Sequence, residues 1–296
     1  MIIIDLDRGA PVSSPAAPLS IALGSFDGVH IGHRELIRRA ASAVSGRENA
    51  VCAVWTFNRN PFGIPYLTEL DEKLELFRIS GARYAVVCTF EEVSRLSPEE
   101  FVDLLHASGV IRCVCGYNYT FGKEKAGNAE RLKSLCAEKG MDCETVDRIE
   151  LNGEEVSSTR IRRLLAEGDV LTANSLLGRR YSITYPVTHG NEIGRTLGFP
   201  TANQIIPEGR APLRRGVYIT GAKGFPSITN IGVRPTVCND GGIVCETHII
   251  GFDGDLYGEK LTVEFRSFLR EEQKFASLDD LKLRLESDAA AACRKG

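Results

Sequence analysis

Hydrophobic positions fall into two textures along the chain. Up to about residue 180, apolar runs alternate with longer segments in which apolar side chains recur every three or four positions. Runs at residues 19–24, 50–57, 84–89, 112–116 and 142–146 are β-branched or apolar nearly throughout. That pattern predicts strands of a parallel sheet covered on both faces. Between them, Thr68-Glu69-Leu70-Asp71 and Ser97-Pro98-Glu99-Glu100 have the spacing of capping boxes, the second with proline at the first helical position. Leu74, Phe77 and Arg78, then Phe101, Leu104 and Leu105, recur at helical spacing. Strand–helix alternation of this kind predicts a doubly wound α/β domain, with its ligand crevice at the carboxyl ends of the strands. Residues 157–177 continue as helices that end this domain, and the boundary is expected near residue 180.

Beyond Gly178-Arg179-Arg180 the texture changes. Short strand-like runs at residues 182–188, 216–220, 228–231, 243–250 and 260–265 are separated by glycine and proline. A helical pattern returns only at Ser277-Leu278-Asp279-Asp280 and runs to about Ala291. This spacing predicts a small antiparallel barrel closed by one helix. The expected division is therefore residues 1–180 and 181–296.

A length of 296 residues suits two cores, and 43% apolar with 25% charged residues is ordinary for globular domains. Of 36 basic and 39 acidic residues, 22 and 25 lie in the first 180, leaving 14 of each afterwards. Neither half is basic, which argues against a nucleic-acid surface. No apolar stretch approaches the ~18 residues of a membrane span, and Met1-Ile2-Ile3-Ile4-Asp5-Leu6-Asp7 is too short and acidic for a signal peptide. Nine cysteines are scattered without a C-x-x-C, several of them inside apolar runs. Together these point to a reduced, cytoplasmic protein, with no protein partner implied.

The chemistry starts behind the first strand, where the chain reads Gly24-Ser25-Phe26-Asp27-Gly28-Val29-His30-Ile31-Gly32-His33. A strand, a glycine turn and a histidine pair opening a helix describe a site for a nucleotide phosphate. The helix start offers unpaired N–H groups and a partial positive charge to an anion. Gly24 and Gly32 leave room for close backbone approach, and His30 and His33, three apart, share a side of the helix. The pair alone would also suit zinc, but no third ligand stands at zinc spacing. Ser157, Ser158 and Thr159 precede the apolar-periodic Ile161, Leu164 and Leu165, so hydroxyls and free N–H groups gather at a second helix start, with Arg162 adding a fork of donors.

In the second half, Gly194 and Gly198 lie in a loop able to fold over phosphates. Thr201 and Asn203, two apart on an extended segment, face the same way and offer two neutral oxygens suited to Mg²⁺. Glu246 and His248 share a face of a strand-like run.

Gly24 to His33 resembles the nucleotidyltransferase signature G-x-F-D-x-x-H-x-G-H, and Val156-Ser157-Ser158-Thr159-Arg160-Ile161-Arg162 resembles that superfamily's I-S-S-T-x-x-R. Gly194-Arg195-Thr196-Leu197-Gly198-Phe199-Pro200-Thr201-Ala202-Asn203 resembles the riboflavin kinase signature. Over nearly its whole length the chain resembles prokaryotic bifunctional riboflavin kinase/FAD synthetases. The resemblance implies a Rossmann-like nucleotidyltransferase domain followed by a riboflavin kinase barrel. It implies that ATP phosphorylates riboflavin to FMN in the second domain and adenylylates FMN to FAD in the first. His30, His33 and Arg162 would serve adenylyl transfer, with Gly24, Phe26, Asp27, Gly32, Ser157, Ser158 and Thr159 about the nucleotide. Glu246 would be the kinase base, Thr201 and Asn203 the Mg²⁺ ligands, and Gly194 and Gly198 the phosphate loop. Arg270 is expected to contact flavin or ATP. Gly116 to Gly122 resembles the family's G-x-[DN]-F-x-F-G, so Asn118 and Phe121 would border a flavin pocket, although core packing explains the aromatics equally well. The chain departs from the family at Asn60, where a histidine is usual, and at Ser25, where asparagine is usual. Asn60 keeps a hydrogen-bond donor but carries no proton charge.

Overall fold

Strands that are apolar throughout need cover on both faces, and the first part of the chain supplies it. The computed structural model describes residues 1–5, 17–44, 50–190, 193–233 and 242–295, which divide by contacts into two compact units, Met1–Ser158 and Thr159–Gly296. In the first, β1 (Ile2–Asp5), β2 (Leu19–Leu23), α1 (Ile31–Ser42), β3 (Val51–Phe57), α2 (Leu70–Ile79) and β4 (Tyr84–Cys88) come in order. Next are α3 (Phe90–Val93), α4 (Pro98–Ala107), β5 (Val110–Gly116), the short pair β6 (Thr120–Phe121) and β7 (Gly127–Asn128), α5 (Ala129–Glu138) and β8 (Asp142–Val146). A second short hairpin, β9 (Glu150–Leu151) and β10 (Glu154–Glu155), follows, and α6 (Ser158–Glu167) crosses the division.

The six-stranded sheet has the order β1-β4-β3-β2-β5-β8, parallel throughout. Period two sorts its side chains. Leu19, Ile21, Leu23, Ala53, Trp55, Val86, Cys113 and Cys115 pack with Phe101, Leu105, Leu132 and Leu135 of α4 and α5. Ala22, Cys52, Val54, Ala85, Val87 and Val114 pack on the other face with Leu36, Ile37 and Phe77 of α1 and α2. Burying each large side chain contributes about 1.5–3 kcal/mol. The chain runs outward one way from β2 to β3 and β4 and the other way to β5 and β8, so β2 and β5 flank the switch point where such sheets bind ligands.

The structure adds one strand that the apolar runs did not mark and corrects one cap. The initial Ile-rich run forms an edge strand pairing with β4. The cap of α2 is Glu69, one residue later than expected, in a capping box with Glu72. Thr68 cannot cap because its hydroxyl accepts a hydrogen bond from the Gly28 N–H at 3.0 Å. The Ser97/Glu100 box forms as expected.

In the second unit α7 (Val170–Leu177) is followed by β11 (Tyr181–Pro186), α8 (Ile193–Thr196), β12 (Ala202–Ile206), β13 (Gly216–Ala222), β14 (Phe225–Val233), β15 (Ile243–Ile249), β16 (Lys260–Arg270) and α9 (Leu278–Lys295). The six strands pair antiparallel in the order β11-β16-β13-β14-β15-β12. An isolated bridge between Thr188 and Asn203 brings the last strand back towards the first. Buried Gln204 donates to the Tyr185 and Leu261 carbonyls at 2.7 and 2.8 Å, so the barrel is nearly closed. Tyr181, Tyr218 and Phe265 fill its core, and α9 packs on β13 and β14. Helix α7 packs on β11 and β16, within the compact unit that starts at Thr159.

Candidate active sites

The His-x-Gly-His turn follows the carboxyl end of β2. His30 is the N-cap of α1, its Nδ1 accepting from the His33 N–H at 3.2 Å, and the two rings stack with centroids 3.6 Å apart. Burial, then the charges of His30 and Lys73, hold His33 well below the usual histidine pKa. Its Nδ1 is a buried atom with no hydrogen-bond partner among the described residues. The glycines make room for the motif's own rings: a Cβ at Gly32 would lie 3.2 Å from the His30 imidazole, and one at Gly24 the same distance from Phe26.

Phe26 is fully buried, its ring 5.0 Å from His33 and edge-on to Phe77. Asp27 is 1% exposed and serves as a buried knot. Its Oδ1 accepts from the Leu67 and Thr68 N–H groups at 2.8 and 3.3 Å, and Oδ2 accepts from Asn60 Nδ2 at 2.9 Å. Its carbonyl accepts from Ser158 Oγ at 2.7 Å. The structure thus joins His30, His33, Asn60 and Ser158 around one turn, with Ser157 beside them in sequence. Thr159 and Arg162 stand on α6 in the second unit. Asn118 is exposed beyond β5, whereas Phe121 is 7% exposed and packs on Phe101 and Tyr119. A Cβ at Gly127 would collide with its ring, so Phe121 is packed into the core of the first unit.

The second site follows from strand register. On neighbouring strands Asn203 lies opposite Glu246, Glu246 opposite Asn230, Asn230 opposite Val217, and Val217 opposite Arg270. Directly opposed residues share a face, and this rung lines a cavity of about 400 Å³. Ile228, Leu281, Leu285, Phe199 and Phe275 give the cavity apolar walls, while Gly194, Thr201 and His248 lie at its polar side. Gly194 is needed where it stands, since a Cβ would fall 2.4 Å from the Phe199 carbonyl oxygen, and Gly198 has a left-handed φ of 86°. A second cavity of about 130 Å³ shares Asn203, Asn230, Glu246 and Glu272. Arg270 lines the first, but its guanidinium binds Asp288 through Nε at 3.0 Å and a terminal nitrogen at 2.7 Å, and donates to the Glu271 carbonyl at 3.0 Å. Asp255 accepts from the Tyr257 N–H at 2.9 Å and shapes a turn.

Sequence reasoning missed Lys73, whose Nζ donates into the first turn, and Asn230 and Glu272, which complete the second cavity. Lys73 stands at helical spacing from Leu70 and Phe77, the one local sign of its burial, but a lysine there reads as solvent-facing by its charge. Asn230 could have been found only by knowing the register of β14 with β15.

A doubly wound unit with an anion-receiving helix start, joined to a barrel that sets hard neutral oxygens beside a carboxylate, defines a two-part nucleotide-dependent transferase. Residues 13–160 match the FAD synthetase family and 177–295 the riboflavin kinase family. Bifunctional riboflavin kinase/FMN adenylyltransferases of Pseudomonas fluorescens and Escherichia coli K12 are 37% and 33% identical, over 91% and 94% of this chain and 90% and 93% of theirs. A solved Streptococcus pneumoniae structure titled a macrolide-efflux protein superposes with a TM-score of 0.89 at 28% identity, covering 99% of both chains. Among the described residues here, no helix is long and apolar enough to cross a membrane. The chain belongs to the family of bifunctional riboflavin kinase/FMN adenylyltransferases. It phosphorylates riboflavin with ATP in its barrel and adenylylates the resulting FMN in its doubly wound unit.

Proposed function

We propose that Glu246 is the general base of riboflavin phosphorylation and that His30 and His33 stabilise the α-phosphate during adenylylation. The observation that carries the kinase assignment is the Asn203–Glu246–Asn230 rung facing the cavity of about 400 Å³. Glu246 takes the proton of a ribityl hydroxyl as its oxygen bonds to the γ-phosphorus of ATP and ADP leaves. The apolar walls suit a flavin ring. Gly194 and Gly198 shape the phosphate loop, and Arg270, held by Asp288, presents its remaining donors at the cavity edge.

The donors suit Mg²⁺. Asn203 is 7% exposed, its amide nitrogen lies 3.4 Å from Thr201 Oγ1, and a Cβ at Gly190 would overlap its amide. Hard neutral oxygens in a cradle that only glycine permits would hold such an ion together with ATP oxygens. Bound there, Mg²⁺ would neutralise phosphate charge.

In the first unit the FMN phosphate attacks the α-phosphorus of ATP and pyrophosphate leaves. Positioning and charge stabilisation supply the catalysis. The rings of His30 and His33 and the N-terminus of α1 donate to α-phosphate oxygens. Ser157, Ser158, Thr159 and Arg162 take the leaving phosphates, and Asn60 and Asn118 flank the flavin. Phe26 and Asp27 contribute by holding the turn. Eight cysteines are free thiols, while Cys238 lies outside the described residues; this supports a reduced, cytoplasmic setting. The test is chromatography of flavins formed over time from riboflavin and Mg-ATP. FMN should rise first and FAD follow, and omission of Mg²⁺ should stop FMN formation. FMN made at the full rate without divalent metal would refute the Thr201/Asn203 assignment.

A further inference from the structure

The helical pattern of α2 turns Leu74 and Phe77 inward, yet the neighbouring lysine is buried as well. Lys73 is 2% exposed, and lysines are rarely buried so fully without partners. Its Nζ donates to the Ser25 carbonyl at 3.1 Å and the Phe57 carbonyl at 3.4 Å. Burial lowers its pKa, opposed by the charge of Asp27. Those carbonyls belong to the turn after β2 and to the last residue of β3, the two segments that carry the histidine pair and Asn60.

The turn needs holding. Phe26 and Val29 have left-handed φ values of 52° and 40°, in a region costly for side chains of this size. Such backbone persists only where its surroundings over-determine it. Thr56 Oγ1 also donates to the Ser25 carbonyl, at 2.9 Å, and the Asp27 knot and Thr68 fix the next residues. Lys73 bonds the turn and the end of β3 at once, alongside the Thr56 and Asn60 bonds that also join the two segments. A buried charge is a poor way to gain fold stability, since an apolar residue of similar volume is often as stable.

We propose that Lys73 is a positioning residue for adenylyl transfer, its buried ammonium group pinning the turn that carries His30 and His33 to the end of β3. The proposal rests on the assignment of His33 to that reaction. Lys73 acts through the histidine pair and touches neither substrate.

The test is a double-mutant cycle in the full chain, using Lys73→Met and His33→Ala and reading FAD formed from supplied FMN. Lys73→Met should lower kcat about 10- to 100-fold, the scale of loss from misplaced groups, with the KM values for FMN and ATP within about threefold. His33→Ala should cost about 10²-fold. The double variant should lie within about threefold of His33→Ala, because residues that act as a unit are not additive. A merely structural lysine would give multiplying losses, and that result would overturn the proposal. So would a Lys73→Met rate within about twofold of the parent, on the same scale. If Lys73→Met does not fold, Thr56→Val removes the other donor to the same carbonyl. Its expected loss of about 3- to 10-fold should vanish in the His33→Ala background, and persistence there would overturn the proposal equally. An unchanged rate in His33→Ala would instead overturn the adenylyl-transfer assignment of that histidine, and the proposal with it.

Discussion

Replacing Glu246 with glutamine isolates the kinase base. Glutamine keeps the length and hydrogen-bonding reach of glutamate and removes the charge and the proton acceptor. Glu246 sits on β15 between two side-chain amides, Asn203 and Asn230, on adjoining strands. Each amide can turn to present either its oxygen or its nitrogen, so the barrel should lose no more than one neutral hydrogen bond, about 1 kcal/mol. The chemical step loses far more. A positioned base contributes about 10²–10⁴-fold, which at about 1.36 kcal/mol per decade is roughly 2.7–5.4 kcal/mol of transition-state stabilisation. FAD formation from supplied FMN should stay at the parent rate, because the phosphate nucleophile in that reaction is already anionic near neutral pH. Separation of riboflavin, FMN and FAD by chromatography reads both activities in one preparation. A folded Glu246→Gln enzyme that makes FMN within about threefold of the parent rate would refute the base assignment outright. Loss of FAD formation together with FMN formation would refute the separation of the two sites.

His30→Ala should mirror that result, with FAD formation down about 10²-fold and the kinase rate intact; loss of FMN formation in this variant would contradict the division of labour. Asp288→Ala leaves the Arg270 guanidinium, 13% exposed, without its carboxylate. The change should cost about 3–5 kcal/mol in the barrel's denaturation and raise the KM for riboflavin, whereas an unchanged barrel would show the ion pair to be idle. Stability of the first unit should fall with acid, since His33 is held neutral in the fold while its unfolded form takes up a proton near the ordinary histidine pKa of about 6.5. Below that pH the unfolded chain binds more protons, so stability is complete above 6.5 and declines as pH falls towards the lower folded value. His33→Gln should flatten that slope in denaturation measured from pH 7 down to about 5.

Much of the architecture is written locally. Apolar runs marked five of the six strands of the first sheet, proline and paired acids fixed the start of α4, and the histidine pair marked the start of α1, because periodicity and cap chemistry act within one or two turns of chain. The strand-and-glycine texture after residue 180 likewise announced a barrel.

Tertiary structure decided what nearby residues could not. Thr68 and Glu69 are both able to cap a helix, and the choice fell to Glu69 because Gly28, 40 residues away, claims the threonine hydroxyl. Phe121 suited a flavin pocket or a core by sequence, and its packing on Phe101 and Gly127 is set by the fold. Lys73 shares a helix face with Leu70 and Phe77, but its charge argues for solvent, and only the packing of α2 against the turn after β2 supplies the carbonyls that let it be buried. Glu246 became a candidate base with a geometry when three strands aligned it with Asn203 and Asn230. Caps and periods are set by neighbours in sequence, whereas a site is an agreement among segments far apart in the chain, and only the folded sheet sets the register between them.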